Sequence, residues 1–179
     1  MTDEEKHLIS ECRVMIIGSR RFIEYVLPEM TKLGFRDVHI NHGGNCFPEQ
    51  SSVNIMAEYG GNGSSCLKTI DNVAVPLIYP FDFVNGAGAM VVMSGDDREL
   101  LGKSDLRVWA AEYMAGYCAF WNVPDCDWLQ QSHPAIRNGD TSESAQKTAA
   151  HICARIAANI AVGREVKHFP RFYLCRNLE

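Results

Sequence analysis

The residues with the clearest capacity for chemistry form a glycine turn between a short apolar run and a helical pattern. The turn reads Gly18-Ser19-Arg20-Arg21 and directly follows the apolar run Val14–Ile17. Glycine lets a ligand approach the backbone closely, and a helix N-terminus offers unpaired N–H groups with a partial positive charge. The pattern predicts a phosphate site. An ordinary tight turn is the alternative, because a G-x-G-x-x-G motif would need two further glycines.

Seven cysteines are the second set of reactive side chains. None forms a Cys-x-x-Cys pair, so the spacing does not favour a zinc ribbon, and a disulfide framework is not expected without a signal peptide. We expect most thiols to be reduced and buried, Cys118 among them, with Cys46 and Cys66 in a Gly/Ser-rich loop as the better nucleophile candidates. The full set is Cys12, Cys46, Cys66, Cys118, Cys126, Cys153 and Cys175.

Hydrophobic patterning predicts the elements that position the glycine turn. A polar helix is expected over Asp3–Glu11, followed by a buried strand at Val14–Ile17. Apolar residues at three- and four-residue intervals predict a helix over Arg20–Leu33, with Gly34 as its C-terminal stop. A second strand is expected at Phe35–Asn41. Strand, helix and strand together have the length of a βαβ unit, which predicts a right-handed crossover and a parallel sheet.

The rest of the chain extends this α/β pattern. We expect one domain over 1–179 with a Rossmann-like, mostly parallel sheet and helices on both faces. A loop-rich stretch covers 42–66. The remaining predicted elements are a short helix at 50–59, strands at 75–79 and 89–94, a helix at 104–121, a loop at 132–141, a helix from Thr141 or Ser142 to about Val162, and an edge strand at 169–174.

Charge and hydropathy exclude several classes of function. The formal net charge is −5, which does not favour nucleic acid as a partner. No apolar run approaches the ~20 residues that a bilayer span needs, and the polar, acidic N-terminus does not resemble a signal peptide. We therefore expect a cytoplasmic protein without a membrane partner.

Several segments resemble the ThiF/MoeB/ubiquitin-activating enzyme family across most of the chain. The resemblance implies that a carboxylate attacks the α-phosphate of ATP, forming an acyl-adenylate and releasing pyrophosphate. The substrate would be a small acid or the C-terminus of a carrier protein, and a minimal branch of the family serves iron-guanylylpyridinol cofactor biosynthesis. The matching segments are 14–40, Gly60–Lys68 with its "G-x-x-K" lysine, Ala89–Asp97 with its strand-end aspartates, the cysteine- and proline-containing helix Ala115–Pro124, and the last helix 145–162.

The resemblance also implies roles for individual residues. Lys68 would contact the ATP triphosphate, and Asp96 or Asp97 would bind Mg²⁺, a hard cation that prefers carboxylate oxygens. Asn41 would contact the ribose, where the family has an acidic residue. Backbone amides and guanidinium groups of the glycine turn would hold the phosphates. The residues of that turn are Gly18, Ser19, Arg20 and Arg21.

Other interpretations of the same residues stay open. The arginines and Lys68 could be ordinary exposed side chains, and Asp96 and Asp97 could cap a helix. A Rossmann-type NAD(P) or S-adenosylmethionine binder is compatible with the turn, and so is a non-catalytic subunit that retains the fold. Members of the family commonly form dimers, so a homodimer is expected, with the aromatic helix 104–121 as a candidate contact face.

Overall fold

The computed structural model describes residues 1–41, 51–57, 75–96 and 105–177. Helix and strand alternate over the first four described elements, and further strands and then three successive helices follow. In chain order the elements are α1 (Asp3–Glu11), β1 (Arg13–Ile17), α2 (Arg20–Leu33), β2 (Asp37–Asn41), β3 (Val53–Met56), β4 (Leu77–Asp82), β5 (Gly86–Val92), α3 (Leu106–Phe120), α4 (Asp127–Arg137), α5 (Glu143–Ala161) and β6 (Tyr173–Arg176).

The strands form one six-stranded sheet in the order β2-β1-β3-β4-β5-β6. The pairs β1–β2, β1–β3 and β3–β4 are parallel, whereas β4–β5 and β5–β6 are antiparallel. The prediction of an α/β fold with a mostly parallel sheet is confirmed. The predicted edge strand of the tail is present as β6, a few residues later than expected.

Two apolar cores lie on opposite faces of the sheet, and β1 contributes to both. Val14 and Ile16 pack with α1, α2 and α5 on one face, while Met15 and Ile17 pack with α3 and α4 on the other. A strand buried on both faces needs a continuous apolar run, which is why this run predicted it correctly. The expected helices on both faces are therefore confirmed.

Helix α2 begins and ends as its sequence predicts. Ser19 is the N-cap, and the apolar stripe that includes Val26 and Met30 is buried against the sheet. Gly34 closes the helix in the left-handed region at φ 99°, where its N–H bonds to the carbonyls of the last turn. These signals fix the N-terminus of α2 directly after the carboxyl end of β1.

A tight connection makes β5 antiparallel to β4. The Phe83 N–H donates to the Gly86 carbonyl at 2.9 Å, and Val84 adopts a positive φ of 67° in the turn. A Cβ on Gly86 would lie 2.3 Å from Trp128 Cη2, so only glycine fits beneath this indole ring. Because β5 runs opposite to β4, the residues that follow β5 emerge at the edge where the parallel strands begin.

Two secondary-structure predictions are wrong. The short helix expected over 50–59 is instead β3, whose residues Val53–Met56 are all buried and pair with β1 and β4. The loop expected over 132–141 begins too early, since α4 continues through Pro134 to Arg137. In the first case, burial within the sheet favours a strand over a helix. In the second, the helix tolerates Pro134 because this residue lies in its last turns.

Candidate functional site

The carboxyl ends of β1, β2 and β3 meet at one edge of the sheet. Ile17, the last residue of β1, is aligned with Asn41 in β2 and with Met56 in β3. The strand order reverses here, because the chain leaves β1 for β2 on one side and then places β3 on the other. Ligands of open α/β sheets bind in the crevice outside such a reversal. This edge is therefore the candidate site.

Gly18 lies in close contact with the backbone that leaves β3. A Cβ on Gly18 would be 2.7 Å from Ala57 Cβ, a distance that real Cβ atoms essentially never show. The Ala57 N–H donates to the Ile17 carbonyl at 2.6 Å, which holds the two segments together. The need for glycine at this position is thus explained by the close approach of β1 and β3, in agreement with the tight-turn interpretation.

The N-terminus of α2 begins immediately beyond Gly18. The Ser19 hydroxyl accepts a hydrogen bond from the Phe22 N–H at 3.4 Å, and the Ser19 carbonyl accepts one from Ile23 at 3.1 Å. The amides of Arg20 and Arg21 precede Ile23, the first residue whose N–H donates within the helix, so no intrahelical carbonyl accepts from them. They are the groups of this terminus that can donate to a bound anion.

Two arginines occupy the first turn of α2, which has no acidic residue. Arg20 Nε lies 3.2 Å from Glu24 Oε1, but both side chains are exposed, by 88% and 61%, so the pair contributes little. Arg21 is exposed and faces the start of α5. The pKa of Glu143 is lowered mainly by its hydrogen bond from Lys147 and to a smaller extent by the charge of Arg21. The starts of α2 and α5 therefore share this edge.

Asn41 is the polar side chain at the end of β2. It is only 7% exposed and lies one strand away from Ile17. Two residues earlier, His39 Nε2 lies 2.6 Å from Asp37 Oδ1. The pKa of Asp37 is lowered first by its hydrogen bond with Arg13 and then by His39. Asn41 thus lies beside the glycine turn, while His39 belongs to an ion-pair group on the exposed face of β2.

Asp96 is not brought to the glycine turn. It follows the antiparallel strand β5 and so lies at the opposite edge of the sheet, roughly 15 Å from the glycine turn along the strands and three strand spacings, about 14 Å, across them. There its Oδ2 accepts a hydrogen bond from the Met93 N–H at 2.7 Å and lies 2.9 Å from His168 Nδ1. The turn after β5 and the pairing with His168 explain this carboxylate. The placement separates Asp96 from the glycine turn, where the resemblance implied that the phosphates would lie.

The other predicted site residues cannot be placed. Lys68 and Asp97 lie outside the described residues, and so do Cys46 and Cys66. Within the described ranges, no group of three His, Cys, Asp or Glu side chains could hold a metal ion. The described part of the candidate site therefore consists of Gly18, Ser19, Arg20, Arg21 and Asn41.

A carboxylate at the end of β4 was missed by the sequence analysis. Asp82 is 12% exposed and accepts hydrogen bonds from the backbone amides of Val84 and Ser142, both at 2.8 Å, and from Gln146 Nε2 at 3.2 Å. Arg107 Nε donates to the Asp82 carbonyl at 2.6 Å. The carboxylate oxygens of Asp82 are thus engaged by donors of the protein itself, and Asp82 anchors the β4–β5 turn to the start of α5. We had expected this strand to end at Tyr79, before Pro80, which concealed the aspartate.

The described cysteines are all free of disulfides, and three of them are buried. Burial raises the pKa of Cys12 and of Cys153, and it raises the pKa of Cys118 to about 12. A thiol with a raised pKa is a poor nucleophile. The prediction of reduced, buried thiols is confirmed for these three, whereas Cys126 and Cys175 are partly exposed.

The aromatic residues of α3 divide into two groups. Trp109 and Tyr113 stack on one another at 5.1 Å and pack against the sheet side. Phe120 and Trp121, at the end of the helix, are 77% and 62% exposed. The exposed pair is compatible with the homodimer face that we predict for this helix. Among the described helices, none is long and apolar enough to cross a membrane.

The geometry defines the class of the molecule as an α/β protein with a strand-order reversal at a helix N-terminus. No protein-family model matches the chain, and no curated protein is significantly similar to it in sequence. The function is therefore inferred from the site itself.

Proposed function

We propose that the protein binds a nucleotide at the carboxyl edge of β1–β3, in the manner of a Rossmann-like fold. The phosphates would lie at the start of α2 and the ribose beside Asn41. The observation that carries this proposal is the pair Arg20 and Arg21, which occupies the positive end of a helix dipole with exposed side chains. Positive side chains are unfavourable there unless an anion accompanies them.

A charge of the wrong sign in the first turn of a helix costs about 0.3–1 kcal/mol. A phosphate at this terminus would accept hydrogen bonds from the amides of Arg20 and Arg21. It would also neutralise their guanidinium groups, which bind phosphate oxygens in a bidentate manner. The same residues that weaken the empty helix terminus would thus bind the ligand.

The position of Asn41 supports a nucleotide rather than free phosphate. Its Cα lies one strand spacing, about 4.8 Å, from that of Ile17, and its side chain is nearly buried. An amide that both donates and accepts hydrogen bonds suits a ribose hydroxyl. A nucleoside whose ribose contacts Asn41 would lie adjacent to the phosphate position at the start of α2.

The resemblance extends the proposal to ATP-dependent adenylylation of a carboxylate, either a small acid or a carrier C-terminus. The chain would supply positioning and charge neutralisation, which suffice for attack of a carboxylate on the α-phosphate. Mg²⁺ would neutralise phosphate charge when bound. However, neither Asp82 nor Asp96 fits it, since Asp82 is engaged by protein donors and Asp96 lies at the other edge.

Nucleotide binding without adenylyl transfer is a second candidate, and the position of Asp96 favours it. The two are separated by pyrophosphate exchange, measured with labelled pyrophosphate, ATP and a panel of carboxylic acids. Exchange above background supports adenylylation. Binding of ATP with no exchange for any acid in the panel favours a non-catalytic binding protein.

The binding proposal is tested by thermal shift with ATP, GTP, NADPH and S-adenosylmethionine, each with and without Mg²⁺. A ligand that binds only the folded state raises the melting temperature. We expect a shift with ATP or GTP that is lost in R20Q/R21Q and retained in the control R36Q, which changes an exposed arginine before β2. No shift with any nucleotide at millimolar concentration would overturn the proposal, and a shift with NADPH or S-adenosylmethionine alone would replace ATP as the ligand.

A further inference from the structure

A cavity of about 640 Å³ lies between the end of α3, the start of α4 and the edge strand β6. This volume is within the range of small-molecule sites. The sheet order puts four strand spacings, or roughly 19 Å, between β6 and β1. The cavity is therefore separate from the proposed nucleotide site and needs its own explanation.

The inner wall of the cavity is apolar and aromatic. Trp128 lies against the backbone of Gly86, and Leu174 projects from β6 beside it. Phe172 packs edge-on against Tyr117, with ring centroids 5.1 Å apart, and Tyr117 remains 38% exposed. Such rings can bury an apolar body of similar size, and burial of their exposed surface would favour binding.

Three cationic side chains line the same cavity: Lys167, Arg171 and Arg176, with Asp125 as the one acidic residue among its described lining. Lys167 Nζ lies 5.5 Å from the centre of the Tyr173 ring. Arg171 Nη2 lies 3.5 Å from Glu165 Oε1, an exposed pair of little strength. In a protein of net charge −5 this local excess of positive charge is the opposite of the average surface.

We propose that this cavity is a second ligand site for a small amphipathic anion, an apolar ring or chain that bears one carboxylate, sulfonate or phosphate group. The apolar body would lie against Trp128 and Leu174, and the anionic group would face Lys167 and Arg176. The arrangement follows the general form of small-ligand sites, an apolar concavity with a few polar groups that fix orientation. The apolar wall of the cavity thus matches the apolar body of the ligand, and the cationic side chains match its anionic group.

The first experiment compares two probes with the same rings. 8-Anilinonaphthalene-1-sulfonate is anionic, and N-phenyl-1-naphthylamine lacks the sulfonate. Titration of the native protein at neutral pH is followed by probe fluorescence and calorimetry. We expect one saturable site for the anionic probe and binding of the neutral probe that is weaker by at least several fold. Equal affinity of the two probes, or no saturable binding, would overturn the proposal.

The second experiment reverses single charges at exposed positions. Lys167→Glu and Arg176→Glu are each expected to weaken binding of the anionic probe roughly threefold to tenfold, by replacing attraction with repulsion at the mouth of the cavity. Arg36→Glu makes the same change in net charge before β2, the outermost strand on the side of the sheet away from β6. It is expected to leave binding unchanged. Equal affinities in all three variants would refute recognition of the anion here.

Two further readouts keep the result specific. Circular dichroism and melting temperature of each variant establish that the fold is retained. The ATP-induced thermal shift is expected to persist in Lys167→Glu and Arg176→Glu, so failure of one site is distinguishable from failure of the other. If the probe fails to bind and sedimentation shows a dimer that Leu174→Arg dissociates, the cavity is an interface between two copies and the proposal is wrong.

Discussion

The starts of α1 and α2 solve the same physical problem in opposite ways. At α1, the Thr2 hydroxyl accepts the Glu5 N–H and the Glu5 carboxylate accepts the Thr2 N–H, a reciprocal capping box. Asp3, Glu4 and Glu5 place negative charge at the positive end of the helix, and Arg164 pairs with Glu5. The chain itself therefore supplies everything that this terminus needs.

The start of α2 has one long capping bond and the opposite charge. Ser19 Oγ lies 3.4 Å from the Phe22 nitrogen, and Arg20 and Arg21 occupy the first turn. The first turn of α2 has no acidic residue, and the strand reversal beside it is where α/β proteins place a ligand. The two termini therefore differ in the charge of their first turns within one molecule, and the proposed function assigns binding of an anion to the second.

The largest expected effect comes from Gly18→Ala, which changes the residue directly before the N-cap of α2. The new Cβ would lie 2.7 Å from Ala57 Cβ, so β1 and β3 must separate, at a cost of about 1–3 kcal/mol for an overpacked core. We expect a lower urea midpoint and a lost nucleotide-induced thermal shift. Adding Ala57→Gly should restore part of the stability.

Gly116→Ala is the matched control for this substitution. Gly116 lies inside α3, and beyond its own helix backbone no atom of the described residues lies within 4 Å of its missing Cβ, so alanine is expected to stabilise the protein by about 0.5–1 kcal/mol. Equal destabilisation by the two glycine substitutions would show that close approach at Gly18 is not the cause.

The segment around Gly18 was predicted correctly from the sequence, whereas β3 was not. The run Val14–Ile17, the periodicity of α2 and the serine and glycine at its ends are local signals, and each predicted its element correctly. The four residues of β3 have no usable periodicity and stand between serine- and glycine-rich stretches. A short apolar run of this kind does not distinguish a strand from a helix. Pairing with β1 and β4 makes this segment a strand.

The direction of β5 was the decisive missing information for the site. A connection of three residues can join only antiparallel neighbours, since a parallel crossover needs a dozen or more. Because we ended one strand at Tyr79 and began the next at Ala89, this hairpin was hidden. The resemblance implied that Asp96 lies near the phosphates, whereas the antiparallel strand β5 brings it to the opposite edge. The misplaced element boundaries hid this direction of β5.

The second prediction compares the two caps directly. Thr2→Ala removes a bidirectional capping box and is expected to cost about 1 kcal/mol of unfolding free energy. Ser19→Ala removes a single bond at 3.4 Å and is expected to cost less, about 0.5 kcal/mol. Urea denaturation of both variants measures the difference. A greater loss in Ser19→Ala would contradict the contrast between the two termini.

The third prediction separates stability from binding at α2. In R20Q/R21Q, the relief of unfavourable charge at the helix terminus offsets loss of the exposed pair with Glu24, so unfolding free energy should change by less than about 0.5 kcal/mol. The nucleotide-induced shift should nevertheless disappear. Substantial destabilisation of the ligand-free protein, with nucleotide binding retained, would mean that the arginines serve the fold.

The smallest effect is a pH dependence confined to the first terminus. The hydrogen bond from the Thr2 backbone lowers the pKa of Glu5 below its usual 4.5, with Arg164 adding to the effect. A lowered folded-state pKa means that the stabilisation by Glu5 is fully present above pH 4.5. It is lost as the pH falls through the lowered value, because protonation removes the acceptor of the capping box.

Amide hydrogen exchange and side-chain NMR titration can follow this loss at the level of single residues. We expect the first-turn amides of α1 to lose protection below pH 4.5 while those of α2, whose first turn has no carboxylate, show no matching transition. In Glu5→Gln the α1 transition should vanish. A parallel transition at the start of α2 would indicate that an acidic group does complete that terminus within the chain, and the electrostatic basis for placing an anionic ligand there would be lost.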